Sequence, residues 1–371
     1  MSETQDTEST AQVDALPPGF QLRGYRLLSV LGRGGFGITY RAEDSRRGGL
    51  VAIKEFLPTA FAGREGVTVR AYSRGSGEKF GQFLKKFFDE ATILLRFGHL
   101  NNIVNVRSYF EENGTGYIVM DFETGRGLDQ YLKDLGRPTT ETEARAILLP
   151  LLDDLGEMHA VGYLHRDIKP QNIIVRTNGT PVLIDFGAAR VSAGEADRTM
   201  TAFISAGYTP WEQYSDDGRQ GPWSDLYALG ATAYQMVTGA RPPDGLQRRL
   251  QSRDSYVSVV QAVEPGRYYS PEFLAAIDWV LQLAPEQRPQ KAAEWRAAFG
   301  TGATESQPEP EPSSPEDDDE TVIAPLRLNP GPQSSAVQPP APRSHRAQSH
   351  RRDSTCKAGR PRTSPPSSHP R

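Results

Sequence analysis

Cysteine is almost absent from this sequence: among its 371 residues, Cys356 is the only one. The chain can therefore form no internal disulfide and no cysteine metal cluster. No stretch approaches the roughly 18 consecutive apolar residues that span a bilayer, and residues 1–18 lack the basic start and apolar centre of a signal peptide. These absences predict a cytoplasmic protein without a transmembrane segment.

Positive net charge is missing as well, since the formal net charge is -4. This balance argues against a basic surface that binds nucleic acid. A hydrophobic content of only 37%, combined with 29 prolines, predicts that part of the chain is disordered. The composition places that disorder in a leader, residues 1–24, and in a tail rich in proline, serine and charge, residues 299–371. One folded region is then expected over residues 25–298.

The folded region holds two short polar segments separated by a hairpin signal. The first is HRDIKPQN, residues 165–172, and the second is IDFG, residues 184–187. Between them, two apolar runs flank the Asn-Gly pair at 178–179, which predicts a β-hairpin with φ > 0 at both turn positions. Because a hairpin returns the chain close to where it left, the aspartates and the asparagine of the two segments are expected to converge on one site.

This order of segments resembles the catalytic and metal-binding loops of the bacterial, eukaryotic-like (Hanks-type) serine/threonine protein kinases. The resemblance implies that Asp167 accepts the proton of the attacking hydroxyl and that Lys169 stabilises the charge on the γ-phosphate. It implies Asn172 and Asp185 as oxygen ligands of Mg²⁺, with Mn²⁺ as a second candidate ion. A lysine two residues after the catalytic aspartate marks the branch of the family that phosphorylates serine and threonine.

A glycine-rich segment, GRGGFG at residues 32–37, fits the pattern G-x-G-x-x-G. In a dinucleotide-binding fold such glycines open a helix, whereas in a kinase they form the turn of a hairpin that covers the phosphates of ATP. Strand-like residues follow at 38–42 and again at 50–54. This succession of strand, loop and strand favours the kinase hairpin.

The second of these strands ends in Val51-Ala52-Ile53-Lys54, which resembles the kinase strand whose lysine contacts the α- and β-phosphates. That lysine requires a carboxylate partner. Glu55 is adjacent, but its side chain is expected on the opposite face of the strand. Residues 78–97 have helical periodicity, and Glu90 lies on or beside the apolar stripe of that helix, where an unpaired carboxylate would be costly. Glu90 is therefore the predicted partner of Lys54.

The resemblance also implies where the nucleotide binds. Met120 is expected to bound the back of the adenine pocket, and Asp121 and Glu123 to lie in the hinge, where backbone groups bind the adenine edge. Thr39 stands where kinases usually carry valine. The full set of implied nucleotide contacts is Leu31, Gly32, Arg33, Gly34, Gly35, Phe36, Gly37, Ile38, Thr39, Ala52, Lys54, Met120, Asp121, Glu123 and Ile174.

Residues 188–204 correspond to the activation segment of the family. Arg166 directly precedes the catalytic aspartate, and in the family this arginine often requires a phosphate on that segment to neutralise it. Thr199 and Thr201 are therefore the predicted autophosphorylation sites.

The segment after residue 204 ends in Pro210-Trp211-Glu212, a partial match to the family's A-P-E motif. The resemblance implies that Ser205 contacts the catalytic aspartate and that Glu212 pairs with Arg288. It also implies that Asp225, near the start of a helix, supports the catalytic loop from below, although a plain helix N-cap would also explain this aspartate.

The predicted fold class is α+β, with the two-lobed architecture of protein kinases. A small β-rich lobe is expected over residues 25–123 and a larger helical lobe over residues 124–298. The connector at residues 55–77 is longer than usual; it is expected to pack behind the helix that follows, or else to form a contact surface. In the disordered tail, Thr321 follows an acidic run and precedes an aliphatic patch, which resembles a phosphothreonine site for a forkhead-associated domain.

The sequence therefore predicts an ATP-dependent serine/threonine protein kinase that phosphorylates proteins and itself. Two alternative functions are disfavoured. A pseudokinase scaffold that docks partners through its tail is disfavoured because every charged catalytic position is filled. A small-molecule phosphotransferase of similar fold is disfavoured by Lys169 and by the long segment that ends at Glu212.

Overall fold

The computed structural model describes residues 14–186, 205–214, 218–264 and 267–300. Within these ranges a β-rich N-terminal lobe precedes a helical C-terminal lobe, so the predicted two-lobed fold is confirmed. Several predicted features lie outside the described residues: Gly187, Thr199, Thr201 and Thr321. Among the described residues, no helix is long and apolar enough to cross a membrane.

The N-terminal lobe is built on a six-stranded antiparallel sheet in the order β1-β2-β3-β4-β8-β7. Its strands are β1 (Gln21–Leu22), β2 (Tyr25–Gly34), β3 (Gly37–Asp44), β4 (Leu50–Phe56), β7 (Val106–Glu112) and β8 (Thr115–Asp121). Side chains of a strand alternate between faces, and β3 shows this as a strict alternation of half-buried and buried residues. The buried side chains of β3, such as Ile38 and Tyr40, belong to the core, whereas Thr39 lines the cavity between the lobes.

The glycine-rich segment forms the predicted hairpin. Gly34 pairs with Gly37, so Gly35 and Phe36 make a two-residue turn between β2 and β3. A Cβ atom at Gly37 would lie 1.8 Å from the carbonyl oxygen of Glu55 on the neighbouring strand, so only glycine fits there.

Order begins earlier than the composition predicts. Residues 14–24, assigned from the sequence to the disordered leader, include the short strand β1, and the side chains of Leu16 and Leu22 are fully buried. The backbone N–H of Leu16 donates to the hydroxyl of Tyr40 at 3.0 Å. Two leucines in a polar segment give no periodic signal, and for that reason the sequence did not predict this packing.

The connector at residues 55–77 forms a second, two-stranded sheet from β5 (Ala62–Glu65) and β6 (Thr68–Ala71). It packs against α1 (Arg74–Leu94), because Phe61 stacks on Phe83 with ring centroids 5.5 Å apart. Packing behind the helix, the first of the two expectations, is confirmed.

A buried ion pair joins this connector to β4. Arg64 donates to Glu55, a carboxylate with no exposed surface. The hydroxyls of Tyr40 and Tyr117 also donate to Glu55, at 2.8 and 2.7 Å. Glu55 therefore lies on the face opposite Lys54, as predicted, and its charge is fully hydrogen-bonded there, as a buried carboxylate requires.

The C-terminal lobe consists of seven helices and a small sheet within the described residues. The helices are α2 (Leu128–Leu135), α3 (Glu141–Ala160), α4 (Pro222–Thr238), α5 (Gly245–Leu250), α6 (Val259–Ala262), α7 (Pro271–Val280) and α8 (Ala292–Ala298). A capping box fixes the start of α3, where Thr140 and Glu143 satisfy each other's backbone N–H groups. Helix α3 leads directly into the polar segment that begins at His165.

The hairpin after this segment is confirmed, but its predicted turn geometry is wrong. Strands β10 (Ile173–Arg176) and β11 (Pro181–Leu183) pair antiparallel, and β10 also pairs with β9 (Gly125–Gly127). Gly179 has φ +84°, whereas Asn178 is not among the described residues with positive φ. The N–H of Gly179 donates to the carbonyl of Arg176, so the loop is longer than two residues and needs only one left-handed position.

Buried polar contacts hold the C-terminal lobe together beneath the site. Glu212 lies in a 3₁₀ turn, Trp211–Tyr214, and is 1% exposed. Both of its oxygens accept from Arg288, at 2.7 and 3.2 Å, and Ser224 donates to it at 2.9 Å. The predicted pairing of Glu212 with Arg288 is confirmed.

Replacing Arg288 with leucine should lower the free energy of unfolding by about 3–5 kcal/mol, because Glu212 would keep a buried charge without its cation. Urea unfolding of the purified chain measures this loss. Arg26→Leu is the matched control: Arg26 pairs with Glu43 on the exposed surface, and we expect it to cost about 1 kcal/mol or less. Equal losses in the two variants would contradict the prediction.

Candidate active site

The two lobes meet at a cavity of about 930 Å³. It is lined from above by the hairpin of β2 and β3 and by β4, and from below by the segment after α3 and by residues 184–186. The polar residues that the sequence singled out converge here, since Lys54, Glu90, Asp167, Lys169, Asn172 and Asp185 all line this cavity. Residues that are up to 131 positions apart thus form one candidate site.

Asp167 is at the centre of a tight hydrogen-bond cluster and is only 8% exposed. Its Oδ1 accepts from Lys169 Nζ at 3.1 Å and from the Ser205 hydroxyl at 3.3 Å. Its Oδ2 accepts from Asn172 Nδ2 at 2.7 Å, and the same amide also donates to the Asp167 carbonyl. The carboxylate is therefore fixed in direction, and Ser205 makes the contact predicted for it.

Asp225 fixes the backbone of the catalytic segment from below. Its two oxygens accept from the backbone N–H groups of His165 and Arg166, at 2.8 and 2.7 Å, and one of them also contacts His159 Nε2 at 2.9 Å. Burial alone would raise the pKa of Asp225, but these hydrogen bonds and nearby charges hold it below its ordinary value. The residue is thus a buried anion that supports the loop, as the resemblance implied.

His165 links the catalytic segment to the strand that carries Asp185. Its Nε2 donates to the carbonyl of Ile184 at 3.1 Å, and its Nδ1 accepts from the N–H of Asp167 at 3.2 Å. Burial lowers the pKa of His165, so the ring is neutral and can fill both roles at once. Phe186 packs on the same ring at 4.3 Å between centroids.

Arg166 and Asp185 adopt left-handed backbone conformations, with φ of +68° and +58°. Non-glycine residues rarely do so, and such strain is concentrated at functional sites. Arg166 Nε is buried without a hydrogen-bond partner among the described residues. Its predicted neutralisation by a phosphate on residues 188–204 stays a prediction, since that segment lies outside the described ranges.

Lys54 and Glu90 come close together, as the sequence predicts. Lys54 Nζ is 3.4 Å from Asp185 Oδ1, and Glu90 is 3% exposed on α1. Burial raises the pKa of Glu90 to about 7. The positive charge of Lys54 lowers this pKa, and the negative charge of Asp185 raises it. The two acids thus lie near one cation, and the direct Lys54–Glu90 pair stays a prediction.

The oxygen groups at this place fit a hard divalent cation. Asp185 and Asn172 line the same cavity, and the side chain of Asp185 is 42% exposed. Among the described residues, no cluster of three or more His, Cys, Asp and Glu could hold a metal ion by itself. A Mg²⁺ ion would suit this arrangement, because it is commonly bound by one or two protein oxygens together with phosphate oxygens.

The predicted nucleotide contacts line the cavity with one exception. The prediction that Ile38 contacts the nucleotide is wrong. Ile38 pairs with Glu55 across the sheet, and Thr39 pairs with Lys54. Because side chains alternate along a strand, Ile38 lies in the core and Thr39 lines the cavity. A Cβ atom at Gly32 or Gly34 would meet no protein atom within 4 Å. Packing does not require those glycines, whereas close approach of a phosphate to the backbone would.

The side chains of the two predicted hinge residues are held by other groups of the protein. Asp121 accepts from Arg107 and Asn105, and Glu123 forms a two-pronged pair with Arg176. The sequence missed several residues of the cavity wall: Val104, Phe122, Gln171, Ile184, Tyr208 and Arg241. Phe122 and Ile184 directly adjoin predicted site residues, which is a signal that could have found them; Val104 and Arg241 carry none.

Comparisons with known proteins agree with this geometry. The family model described as "Protein kinase domain" matches residues 25–298. The chain is 33% identical over 297 residues to serine/threonine-protein kinase PknA of Nostoc sp., covering 76% of this chain and 48% of that protein. It is 32% identical over 241 residues to serine/threonine-protein kinase PknD of Mycobacterium tuberculosis, covering 64% and 33% respectively. The chain thus spans about half or less of the length of these relatives.

Solved structures give the same picture. One described as "PpkA-294 apo form" is 35% identical, with a TM-score of 0.68, and the match covers 77% of this chain and 99% of that one. A mutant kinase domain of PknI from Mycobacterium tuberculosis has a TM-score of 0.57 at 24% identity, covering 77% and 98%. This second likeness shows the fold alone.

Proposed function

Since this chain belongs to the protein kinase family, with residues 25–298 matching its domain, we propose that it transfers the γ-phosphoryl group of ATP to serine and threonine hydroxyls of proteins. The observation that carries the proposal is the cluster around Asp167, where Lys169, Ser205 and Asn172 fix one carboxylate at the base of the interlobe cavity. A scaffold without activity would have no need for this arrangement. The pseudokinase alternative is therefore not favoured.

Asp167 has the geometry of a residue that aims and deprotonates an acceptor hydroxyl. Asn172 donates to Oδ2 and Ser205 to Oδ1, whereas Lys169 Nζ lies 3.1 Å from both oxygens. An incoming Ser or Thr hydroxyl that donates to this carboxylate would lie beside the Lys169 ammonium, which offsets negative charge at the γ-phosphate. Transfer passes through a loose transition state, so positioning and charge stabilisation supply most of the catalysis.

Asp185 and Asn172 would hold a divalent metal ion, for which we propose Mg²⁺, with Mn²⁺ as a substitute. When bound, this ion neutralises the phosphate oxygens of ATP. Lys54 would contact the α- and β-phosphates and be held there by Asp185 and Glu90. The backbone of residues 32–37 would cover the phosphates, and Met120 would bound the adenine pocket.

The pH dependence of catalysis should report on Glu90. As pH rises through about 7, Glu90 loses its proton and becomes an anionic partner for Lys54. We expect kcat/KM for ATP to fall about tenfold for each pH unit below that value. Glu90→Gln should lower activity and remove this step, as measured by initial rates between pH 5.5 and 8.5.

Asp89→Asn is the control for this prediction, because Asp89 is the exposed neighbour of Glu90 on the same helix. It should keep the step near pH 7. A step that persists unchanged in Glu90→Gln would assign the titration to another group, such as the phosphate of ATP itself.

The partners and the location belong to the same proposal. ATP is abundant in the cytoplasm, where we place the protein. Thr321 follows the acidic residues 316–320 and precedes an aliphatic patch, which supports a forkhead-associated domain as the partner of the phosphorylated tail. Failure of a phospho-Thr321 peptide to bind such domains from the same organism would remove this partner.

The direct test is transfer of labelled γ-phosphate. The wild-type chain, ATP and Mg²⁺ should label serines or threonines of the chain itself and of protein acceptors, and mass spectrometry should place the self-label on Thr199, Thr201 or Thr321. ATP binding without any label would favour the scaffold. Label on other residues would keep the activity but reject the predicted sites.

A further inference from the structure

The acidic side chains that line the catalytic cavity each have a cationic neighbour. Asp185 and Glu90 lie near Lys54, and Asp167 pairs with Lys169. In the hinge, Asp121 pairs with Arg107 and Glu123 with Arg176. Each carboxylate of the cavity therefore already has one of the protein's own cations beside it, with Lys54 shared between Asp185 and Glu90.

Two arginines on the same cavity wall differ from these groups. Arg33 comes from the β2–β3 hairpin and Arg241 from the segment after α4. Both are exposed, and within the described ranges no hydrogen bond or ion pair joins either of them to another group. These two guanidiniums, one in each lobe, are thus the cations of the cavity wall that pair with no carboxylate among the described residues.

Arg241 packs beside the segment that begins at Ser205. A Cβ atom at Gly207 would be 3.6 Å from the Cβ of Arg241, and Gly207 itself has φ +89°. Gly207 follows Ser205, the residue that contacts the catalytic carboxylate. Arg241 therefore packs beside Gly207, two residues along the chain from the group that contacts Asp167, which puts its guanidinium within reach of a segment bound at that carboxylate.

Two acidic residues of this region, Asp244 and Asp129, are already engaged. Asp244 caps α5 by accepting from the N–H groups of Leu246 and Gln247, both at 3.1 Å. Its other oxygen accepts from Tyr214 at 2.6 Å. Asp129 and Arg241 have opposite effects on the pKa of the Tyr208 hydroxyl. The Oδ2 atom of Asp129 is 3.8 Å from Lys133 Nζ. Arg241 thus remains available to an anion supplied by a substrate.

We propose that Arg241 selects acceptor segments that carry an aspartate or a glutamate beside the phosphorylated serine or threonine. The inference rests on the proposed function and names its substrate class. A carboxylate on the peptide would pair with the unpaired guanidinium, whereas a lysine or an arginine in the same place would be repelled. Complementary charge of this kind mainly sets specificity and encounter rate.

The test uses threonine peptides that are identical except for one flanking residue, placed at each of the four positions before and after the threonine. At each position the residue is Asp, Asn or Lys, and kcat/KM is measured with the full chain. For at least one position we expect the Asp peptide to exceed the Asn peptide about three- to tenfold, as for a partly exposed ion pair. Raising the salt concentration should reduce this ratio, because exposed pairs are screened.

In Arg241→Ala, the ratio of kcat/KM for the Asp peptide to that for the Asn peptide should fall close to one. In Arg241→Glu, the Lys peptide should become the best substrate. Arg253→Ala is the matched control: Arg253 is an exposed arginine of the same lobe that does not line the cavity, and its ratio should equal that of the wild type. If no peptide is phosphorylated by the wild type, the proposed function itself fails. Phosphorylation of all peptides without preference for Asp, or a preference that Arg241→Glu leaves intact, overturns only the role of Arg241.

Discussion

Replacing Asp167 with asparagine should reduce phosphoryl transfer about 10³-fold, within the range expected when a positioned general base is removed. An amide cannot accept the proton of the acceptor hydroxyl. It also has only one acceptor oxygen, so it must lose the hydrogen bond from Asn172 or those from Lys169 and Ser205. Initial rates of γ-phosphate transfer to a peptide, at saturating ATP, measure the effect.

Asp134→Asn is the comparison for this variant, since Asp134 is an aspartate of the same lobe that pairs with Arg126 on the surface. It should retain the wild-type rate. ATP affinity should change little in Asp167→Asn, because the nucleotide contacts lie on other elements. Transfer at more than about a tenth of the wild-type rate would show that Asp167 is not the base, whatever its position in the cavity.

Much of this site was predictable because its residues lie close together in the sequence. Three site residues lie within six consecutive positions: Asp167, Lys169 and Asn172. The hairpin of β10 and β11 brings Asp185 back to them. Short-range patterns of this kind determine local structure strongly. The convergence follows from chain geometry even though the exact turn at Asn178 was wrong.

The two errors arise from side-chain direction in a strand and from loop length in a hairpin. Ile38 was assigned to the nucleotide as part of a continuous run, yet a strand presents only every second side chain to one face. The Asn-Gly pair at 113–114 has φ > 0 at both residues, as a two-residue turn requires, whereas the pair at 178–179 does not. The same Asn-Gly dipeptide adopts two different turns because the loops between the flanking strands differ in length.

The long-range polar contacts could not be predicted from a single sequence. Glu55 is held by Tyr40, Arg64 and Tyr117, which lie 15, 9 and 62 positions away. No periodicity marks these partners, and a buried carboxylate is improbable from composition alone. The network also explains why Glu55 is unavailable to Lys54, which leaves the role of partner to Glu90 and Asp185.

Replacing Asp185 with asparagine should reduce phosphoryl transfer by about 10²- to 10³-fold and raise the Mg²⁺ concentration needed for half-maximal rate. Asp185 provides the only carboxylate proposed to bind the metal ion, and a neutral amide is a weaker ligand for a hard cation. The substitution also removes the anion 3.4 Å from Lys54, so the lysine would be less well positioned toward the phosphates. Rates measured over a Mg²⁺ titration separate the two effects, because high Mg²⁺ should restore part of the first and none of the second.

Asp121→Asn provides a control within the same cavity. Asp121 lines it as well, but its carboxylate is held by Arg107 and Asn105 at the hinge, so we expect the Mg²⁺ dependence of the wild type. Chelation of divalent ions should abolish transfer in both proteins. If Asp185→Asn showed an unchanged Mg²⁺ requirement and a lower rate only, Asp185 would act through Lys54 alone, and the metal ion would have to be bound by Asn172 or by other residues.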